Sequence, residues 1–399
     1  MHPGFGRFWA ADTVSLVGSY VTTVALPTLA VVTLQASGTE VGLLSAARWL
    51  PYLLFGLVAG VLVDRYRRLP VLVGVDLACA VLLGVVALLA VAGALSVPVL
   101  IGLMVVFGAL SLLYDAAHQS FLPSLVPRSA LTSANARLEQ TSAVAQTAGQ
   151  AAAGWLVRAI GAPWAILVDA VSFLVSGLLL TTLRTPEQVT RLRPDLKREV
   201  REGLRWVYRH EMLAPLALTS HVWFLFNGMV ATLFPIIVLR TLGFGEVALG
   251  VTFALGGVGG LLGASLSTRA ERQWGVGRAI IAGRWLTPLG YALIPFAGTG
   301  ISGMVLLGGA QFVFGFSIGL DSPVEMGYRQ TITPDRLQGR MNATMRSINR
   351  GMIVVGAPLG GLLADTLGVG VALWIAIGGL VAQAVAISAT KFRHARLPT

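Results

Sequence analysis

The chain has 399 residues, 55% of them hydrophobic and only 12% charged, where a soluble domain carries about 25% charged residues. Its mean hydropathy of +0.77 excludes a water-soluble fold, and the apolar content alone suffices for roughly eleven bilayer spans of about 20 residues. A net charge of +11 and an isoelectric point near 10.7 would suggest a nucleic-acid partner in a soluble chain, so the positions of the charges have to decide their meaning.

Arg7 precedes an apolar stretch from Trp9 to Leu34, longer than the about 7 to 15 residues of a signal-peptide core, and this stretch reads as a retained first span. Apolar runs broken by Gly, Pro or charge predict helices at about 9–34, 41–63, 70–92, 97–122, 134–160 and 163–184. A polar segment at 185–211 follows, and six more helices at 212–240, 247–268, 279–298, 301–325, 340–365 and 369–390. The predicted fold class is all-α and integral to a membrane: two six-helix bundles, residues 1–184 and 212–399, joined by a cytoplasmic linker at 185–211. Cys79 is the single cysteine, which excludes an internal disulfide and a cysteine metal cluster.

With both termini placed in the cytoplasm, only Arg48, Arg158 and Arg240 of the 29 basic residues fall on the outer side. The others lie in the termini, the inner loops, the linker, or the first turns of helices leaving the cytoplasmic face. The basicity is then a topological label and implies no nucleic-acid partner. Within the linker, Leu196, Val200, Leu204 and Val207 recur at helical spacing opposite Arg198, Arg201, Glu202, Arg205 and Arg209. Such an amphipathic helix either lies on an anionic inner leaflet or is a solvated connector.

A shift of 207 residues superposes Pro127 on Pro334, Asn135 and Ala136 on Asn342 and Ala343, Gly149 on Gly356, Gly154 on Gly361, Leu156 on Leu363 and Gly161 on Gly368. It carries the fifth helix onto the eleventh, so both halves enter the membrane in the same direction. Parallel repeats of this kind occur in secondary transporters, with the substrate bound between the halves near the midplane.

Seven of the 18 acids lie within predicted spans: Asp12, Asp76, Asp115, Glu139, Asp169, Asp321 and Glu325. A charge at the centre of a span costs at least about 2.5 to 3.5 kcal/mol on insertion scales, so each should face protein or water. Arg158 is the expected partner of Asp169, and the loop arginines of Asp76. Asp12 opens a stripe with Ser15, Ser19 and Thr22 at spacings that make one polar helix face, although the long span also permits Asp12 at the interface. Asp115, His118 and Gln119 share a face of the fourth helix, and Asn135, Glu139, Ser142, Gln146 and Gln150 share one on the fifth.

Under the shift Glu139 falls on Arg346 and Ser142 on Asn349. We expect Asp115 and Glu139 to oppose Arg346 and Arg350 when the cytoplasmic ends close. Carboxylates that alternate between buried and wet settings can carry coupling protons, and Asp115, Glu139 and Asp12 are the candidates. For cargo, Trp223 and Asn227 on the seventh helix and Phe312 and Phe316 on the tenth offer an aromatic, amide-bearing wall suited to a bulky amphipathic molecule. Ser19, Gln146, Gln150 and Asn349 complete the cavity candidates, with Arg48 placed to attract an anionic group or to pair with an acid. The aromatics equally suit plain packing, and Trp9, Trp155, Trp164 and Trp374 fall at interfaces as an aromatic belt.

Between the second and third helices stands GVLVDRYRRLP, Gly60 to Pro70. It resembles the cytoplasmic loop signature of the major facilitator superfamily, a glycine, an Asp-Arg pair four residues on, and further basic residues. The family's glycine between the basic positions is missing, since Tyr66 is followed by Arg67 and Arg68. The resemblance implies twelve helices around a central cavity lined in part by the first helix. It also implies a latch in which Asp64 meets the N-terminus of the eleventh helix, favoured there by the helix dipole, with Gly60, Arg65, Arg67 and Arg68 beside it. The second-half loop beginning at Gly263 has Ser267 in the carboxylate's place, which makes the latch one-sided.

The segments LPSLVPRSALTSANA and TPDRLQGRMNA resemble the drug and siderophore exporter branch of that superfamily. This implies proton-driven export of a drug-like or siderophore-like small molecule with no cofactor, by a monomer in the cytoplasmic membrane. The branch's antiporter signature is incomplete: AQTAGQAAAG has Gln150 where proline is expected, whereas GAPLGG retains Pro358. Metabolite uptake and a non-transporting receptor are the alternatives. His2, His118, His210, His221 and His394 are dispersed, and the sequence has no nucleophile motif, metal-ligand spacing or GxxxxGK(S/T) loop, which speaks against an enzyme or a nucleotide-driven pump.

Overall fold

A computed structural model describes residues 3–63, 66–127, 130–183 and 196–396. The first bundle begins with α1 (Pro3–Thr28, prolonged by a π turn at Leu29–Thr33), α2 (Gly38–Val63), α3 (Arg68–Val91) and α4 (Val97–Leu125). Its fifth passage is composite, made of α5 (Leu131–Val144), a π turn (Ala145–Gly149) and α6 (Gln150–Ile160), and α7 (Ala162–Thr181) closes the bundle. After the connector α8 (Leu196–Arg209), the second bundle contains α9 (Leu213–Ile236, with a π turn at Ile237–Thr241), α10 (Gly245–Trp274) and α11 (Val276–Tyr291). It ends with α12 (Ile301–Ile332), α13 (Asp335–Leu367) and α14 (Val369–Ala389).

Among the described residues there is no strand, and 11 helices are long and apolar enough to cross a membrane. The fifth passage is the twelfth by position. It fails the apolar criterion because Asn135, Arg137, Glu139 and Gln140 occupy its first half. α12 and α13 extend well past the predicted ends at 325 and 340 because their apolar runs stop before their helical periodicity does.

The sequence repeat recurs in the backbone. Gly93 and Gly300, and Gly161 and Gly368, are each separated by 207 residues and all have positive φ (68°, 101°, 83° and 91°), at corresponding turns of the two halves. That left-handed region is open to glycine without a Cβ penalty. Packing repeats too: α2 lies on α4 and α3 on α7 in the first bundle, as α10 lies on α12 and α11 on α14 in the second. Across the bundles α2 meets α13, and α6 meets α10. At Gly154 and Gly250 the latter pair approaches so closely that an added Cβ on either would strike backbone of the other helix.

The apolar core shows where the bundles join. At the face opposite the termini, one cluster runs through both, including Val31, Ala36, Val41 and Leu44 with Ile236, Ile237 and Leu239. At the face carrying the termini and α8, which we call the basic face, the described core breaks into separate clusters, the two largest belonging to one bundle each. One cluster gathers around Phe8, Leu72 and Phe121, the other around Leu216, Ile280, Leu320 and Phe392. The bundles are thus sealed together at the far face and, away from the α2–α13 contact, parted at the basic face. Exposed apolar side chains on the outer walls, such as Val81, Leu88 and Leu178, find their solvent in lipid.

The placement of α8 corrects the expectation that its apolar stripe rests on a leaflet. Val207 is fully buried against Ala217, Met341 and Met345, and Gly203 packs on the backbone of Arg340. Arg340 holds the helix through ion pairs to Glu202 and to Glu199 (3.2 Å). A hydrogen bond from Arg198, together with the charge of Arg340, keeps the Glu202 carboxyl below the usual carboxylate range. The stripe found a protein surface to cover, leaving Lys197, Arg201, Arg205 and Arg209 exposed. The start of the predicted linker, residues 185–195, lies outside the described residues.

Candidate functional site

Among the described residues, cavities open between the bundles. One, of about 430 Å³, lies between the fifth passage and α9 to α12. Gln146, Gln150, Asn227, Tyr291 and Gln311 supply its polar groups, and Phe234, Phe253 and Phe314 its aromatic surface. The second, of about 460 Å³, lies nearer the basic face between α2, α4, α8 and α13, and is lined by Tyr52, Asp115, Gln119, Glu199, Arg340 and Arg346.

Local structure explains what points inward. On the fifth passage Ala143, Gln146 and Gln150 follow one another at helical spacing along one face across the π turn, and Gly154, one turn further on α6, meets α10. With its amide nitrogen turned toward them, Gln150 donates to the carbonyl oxygens of Gln146 and Phe253, both at 3.0 Å. Across the cavity the Tyr291 hydroxyl donates to Asn227 Oδ1 (2.8 Å), and its ring stacks on Phe314 with centroids 4.9 Å apart. Among the described residues the Asn227 amide nitrogen and the Gln146 and Gln311 side chains have no hydrogen-bond partner.

Gln146, Gln150 and Asn227 are therefore brought together as cavity residues, whereas other expected wall residues are not. Phe312 and Phe316 are corrected to Phe314. The carbonyls of Phe312 and Phe316 press on Gly259 and Gly263 of α10, a rotation imposed by the close α10–α12 glycine contacts. Trp223 is buried beneath Arg284, whose guanidinium lies 5.4 Å from the ring centroid. Asn349 Oδ1 meets His221 Nδ1 (2.7 Å), and His221 Nε2 meets the Tyr208 hydroxyl (2.7 Å), which ties α13, α9 and α8 together. Arg48 lies over Phe107, 5.4 Å from its centroid, within the first bundle.

The stripe on α1 divides instead of lining the cavity. Thr22 donates to Asp169 Oδ2 (2.5 Å), Ser15 is buried, and half-buried Ser19 is not part of either cavity wall. Asp169 also accepts from Ser172 (3.0 Å), so hydroxyls take the place of the expected Arg158, which is exposed. Asp76 likewise accepts from Ser176 (2.6 Å). Asp12 Oδ1 lies 3.0 Å from His118 Nε2. Trp9, expected in an aromatic belt, donates its indole N–H to Thr141 (2.9 Å).

Asp115 accepts from the Tyr52 hydroxyl (2.7 Å) in the second cavity, which also contains Arg346. With its amide oxygen turned toward the guanidinium, Gln119 accepts from both terminal nitrogens of Arg346 at 3.2 Å, and Arg350 stacks 4.0 Å over the Trp49 ring. Glu139 is exposed at the open basic side of α5, and among the described residues no ion pair joins it or Asp115 to either arginine. Of the loop signature, Asp64 and Arg65 lie outside the described residues, as do the surroundings of Gly60. Arg67 is exposed and Arg68 opens α3.

Sequence reasoning missed Arg284 by counting it among the first-turn cations. It is 4% exposed inside the second bundle, with Nε 2.9 Å from Asp321 Oδ2 and Nη2 2.6 Å from Glu325 Oε2 and 3.1 Å from Ser220 Oγ. The Nε contact has ion-pair distance without hydrogen-bond alignment. Arg329 completes the set, 3.0 Å from Glu325 Oε1 and 2.7 Å from Asn342 Oδ1. Two acids one turn apart on α12 were the available signal, because buried acids require cations or hydrogen-bond donors.

Residues 1–397 match the family described as transmembrane secretion effector. The chain is 26% identical over 394 residues to macrolide efflux protein A of Streptococcus pyogenes, covering 96% of this chain and 94% of that protein. It is 27% identical over 374 residues to multidrug efflux pump Tap of Mycolicibacterium fortuitum, covering 88% and 87%. Its fold is similar to the crystal structure of nucleoside transporter NupG, with a TM-score of 0.78 at 11% identity over 97% of this chain and 98% of that one. These relatives are transporters, not enzymes. Paired helical bundles with a cavity between them, matched to one family over nearly the whole length, make this chain a multi-pass membrane transporter of the transmembrane secretion effector family within the major facilitator superfamily.

Proposed function

We propose that the protein is a proton-driven exporter of bulky, amphipathic, drug-like molecules that works by alternating access, as a monomer in the cytoplasmic membrane with both termini inside. The carrying observation is the amide and aromatic cavity between two bundles that are sealed at one face and parted at the other. Phe234, Phe253 and Phe314 suit the apolar body of such a cargo, while Gln146, Asn227 and Gln311 suit its polar groups. The names of the macrolide and multidrug efflux relatives support export and this cargo class. The concentration of cations at the basic face supports its cytoplasmic placement. In that orientation the cavity is presented to the cell interior.

Asp115, Glu139 and Asp12 are the proposed proton carriers: Asp115 and Glu139 border the open side, and Asp12 adjoins His118. Inside-out proteoliposomes with an imposed proton gradient should accumulate a radiolabelled macrolide, and a protonophore should stop that accumulation. Asp115→Asn or Glu139→Gln should leave counterflow but abolish gradient-driven accumulation. Accumulation that survives collapse of the gradient would rule out proton coupling, and vesicles that move none of a panel of neutral and cationic amphiphiles would rule out export. Asn227→Ala should weaken cargo binding about fivefold in a competition assay, the worth of roughly one hydrogen bond. An unchanged affinity would remove Asn227 from the cargo site.

A further inference from the structure

At the far face, two charged side chains of the second bundle close on helix ends of the first. α2 begins with the capping box Ser37, Gly38, Thr39, Glu40. Glu40 Oε2 accepts from the Ser37 backbone N–H (2.8 Å), Ser37 Oγ accepts from the Glu40 N–H (3.2 Å), and the Val41 N–H donates to the Ser37 carbonyl (3.0 Å). This leaves the N–H groups of Gly38 and Thr39 to be satisfied. Both donate to Asp365 in the last turn of α13, Gly38 to Oδ1 (2.8 Å) and Thr39 to Oδ2 (2.7 Å), and the Thr39 hydroxyl adds a third bond (2.6 Å). A carboxylate of one bundle thereby completes a helix N-terminus of the other, the end where an anion is favoured.

Arg240, at the end of α9, makes the opposite contact. Its Nη2 donates to the carbonyls of Val31 (2.9 Å) and Ala36 (2.8 Å), where α1 ends and where a cation is favoured. On the alternating-access reading above, we infer that Asp365 and Arg240 are the gate residues of the far mouth, holding it shut through charge-to-helix-end contacts that break when cargo leaves. Exposure makes them suited to this: both side chains lie at the outer rim, so on parting, water takes over the freed N–H and C=O groups at once. The Arg284 network lies wholly within one bundle and has no such exchange to make.

The test is a pair of spin labels on far-face loops of the two bundles, at Ala94→Cys and Thr299→Cys in a Cys79→Ala background, with distances measured by double electron–electron resonance in lipid nanodiscs. Both positions are exposed. The parent should show mainly one short distance. Asp365→Asn and Arg240→Gln should each shift the closed-to-open ratio by about tenfold or more toward a longer distance. Glu40→Gln, a rim carboxylate bonded within its own loop, should leave the parent distribution, and a label pair inside the first bundle should be unchanged in every variant. A far-face distribution in Asp365→Asn and Arg240→Gln identical to the parent's overturns the gate, whatever the parent transports. Widening in both variants with no cargo movement by the parent supports the gate and overturns the transport reading alone.

Discussion

Arg284→Met is expected to destabilise the second bundle by about 3 to 5 kcal/mol, because it leaves Asp321 without a cation and removes one of two from Glu325 in a buried setting. Arg284 also contributes its stacking on Trp223 and its bond to Ser220. In detergent, the thermal unfolding midpoint should fall by about 10 °C for a bundle of this size. Combining Arg284→Met with Asp321→Asn should recover part of the loss by removing the stranded charge, whereas Arg284→Met with Arg329→Met should be worse than either. A midpoint at the parent value for Arg284→Met would show that the network contributes nothing to stability.

Gly154→Val is expected to reduce transport by roughly ten- to a hundredfold while leaving the protein folded. A Cβ at Gly154 would lie 2.7 Å from the Glu246 carbonyl and 3.0 Å from the Val247 Cα, backbone atoms of α10 that cannot rotate away as a side chain can. The contact lies between bundles, so the clash is relieved when the far face parts. Valine should therefore hold the transporter open there, with the long Ala94 to Thr299 label distance. Gly315→Val makes the informative contrast. Its Cβ would strike the Gly256 backbone within the second bundle, where no rigid-body motion relieves it, and loss of folded protein is the expected outcome. Parent-rate transport by Gly154→Val would mean that α6 and α10 need not close during the cycle.

Each of these positions was legible in the sequence to a different depth. Gly154 stood out through its repeat mate Gly361, and both proved to be interbundle contacts. Gln146, Gln150 and Asn227 were found because polar residues on apolar helices must face protein or water. The same rule identified Asp169 and Asp76 but named Arg158 for Asp169, where Thr22 and Ser172 supply the hydrogen bonds, and did not foresee Ser176 at Asp76. Phe312 and Phe316 fit a helical spacing, yet the rotation of α12 is set by its glycine contacts with α10, and these turn Phe314 to the cavity.

The sequence by itself determined the all-helical membrane class, the approximate bounds of the spans, the parallel repeat and the segregation of charge to one face. These follow from a local condition, because each segment must satisfy its own backbone and match the bilayer with its own composition. The tertiary structure alone decided which side chains meet: Arg284 with Asp321 and Glu325, the apolar face of α8 with α13, and Asp365 with the start of α2. Those outcomes depend on helix rotation and close approach between residues as far apart as Gly38 and Asp365, and no local property of either segment encodes them.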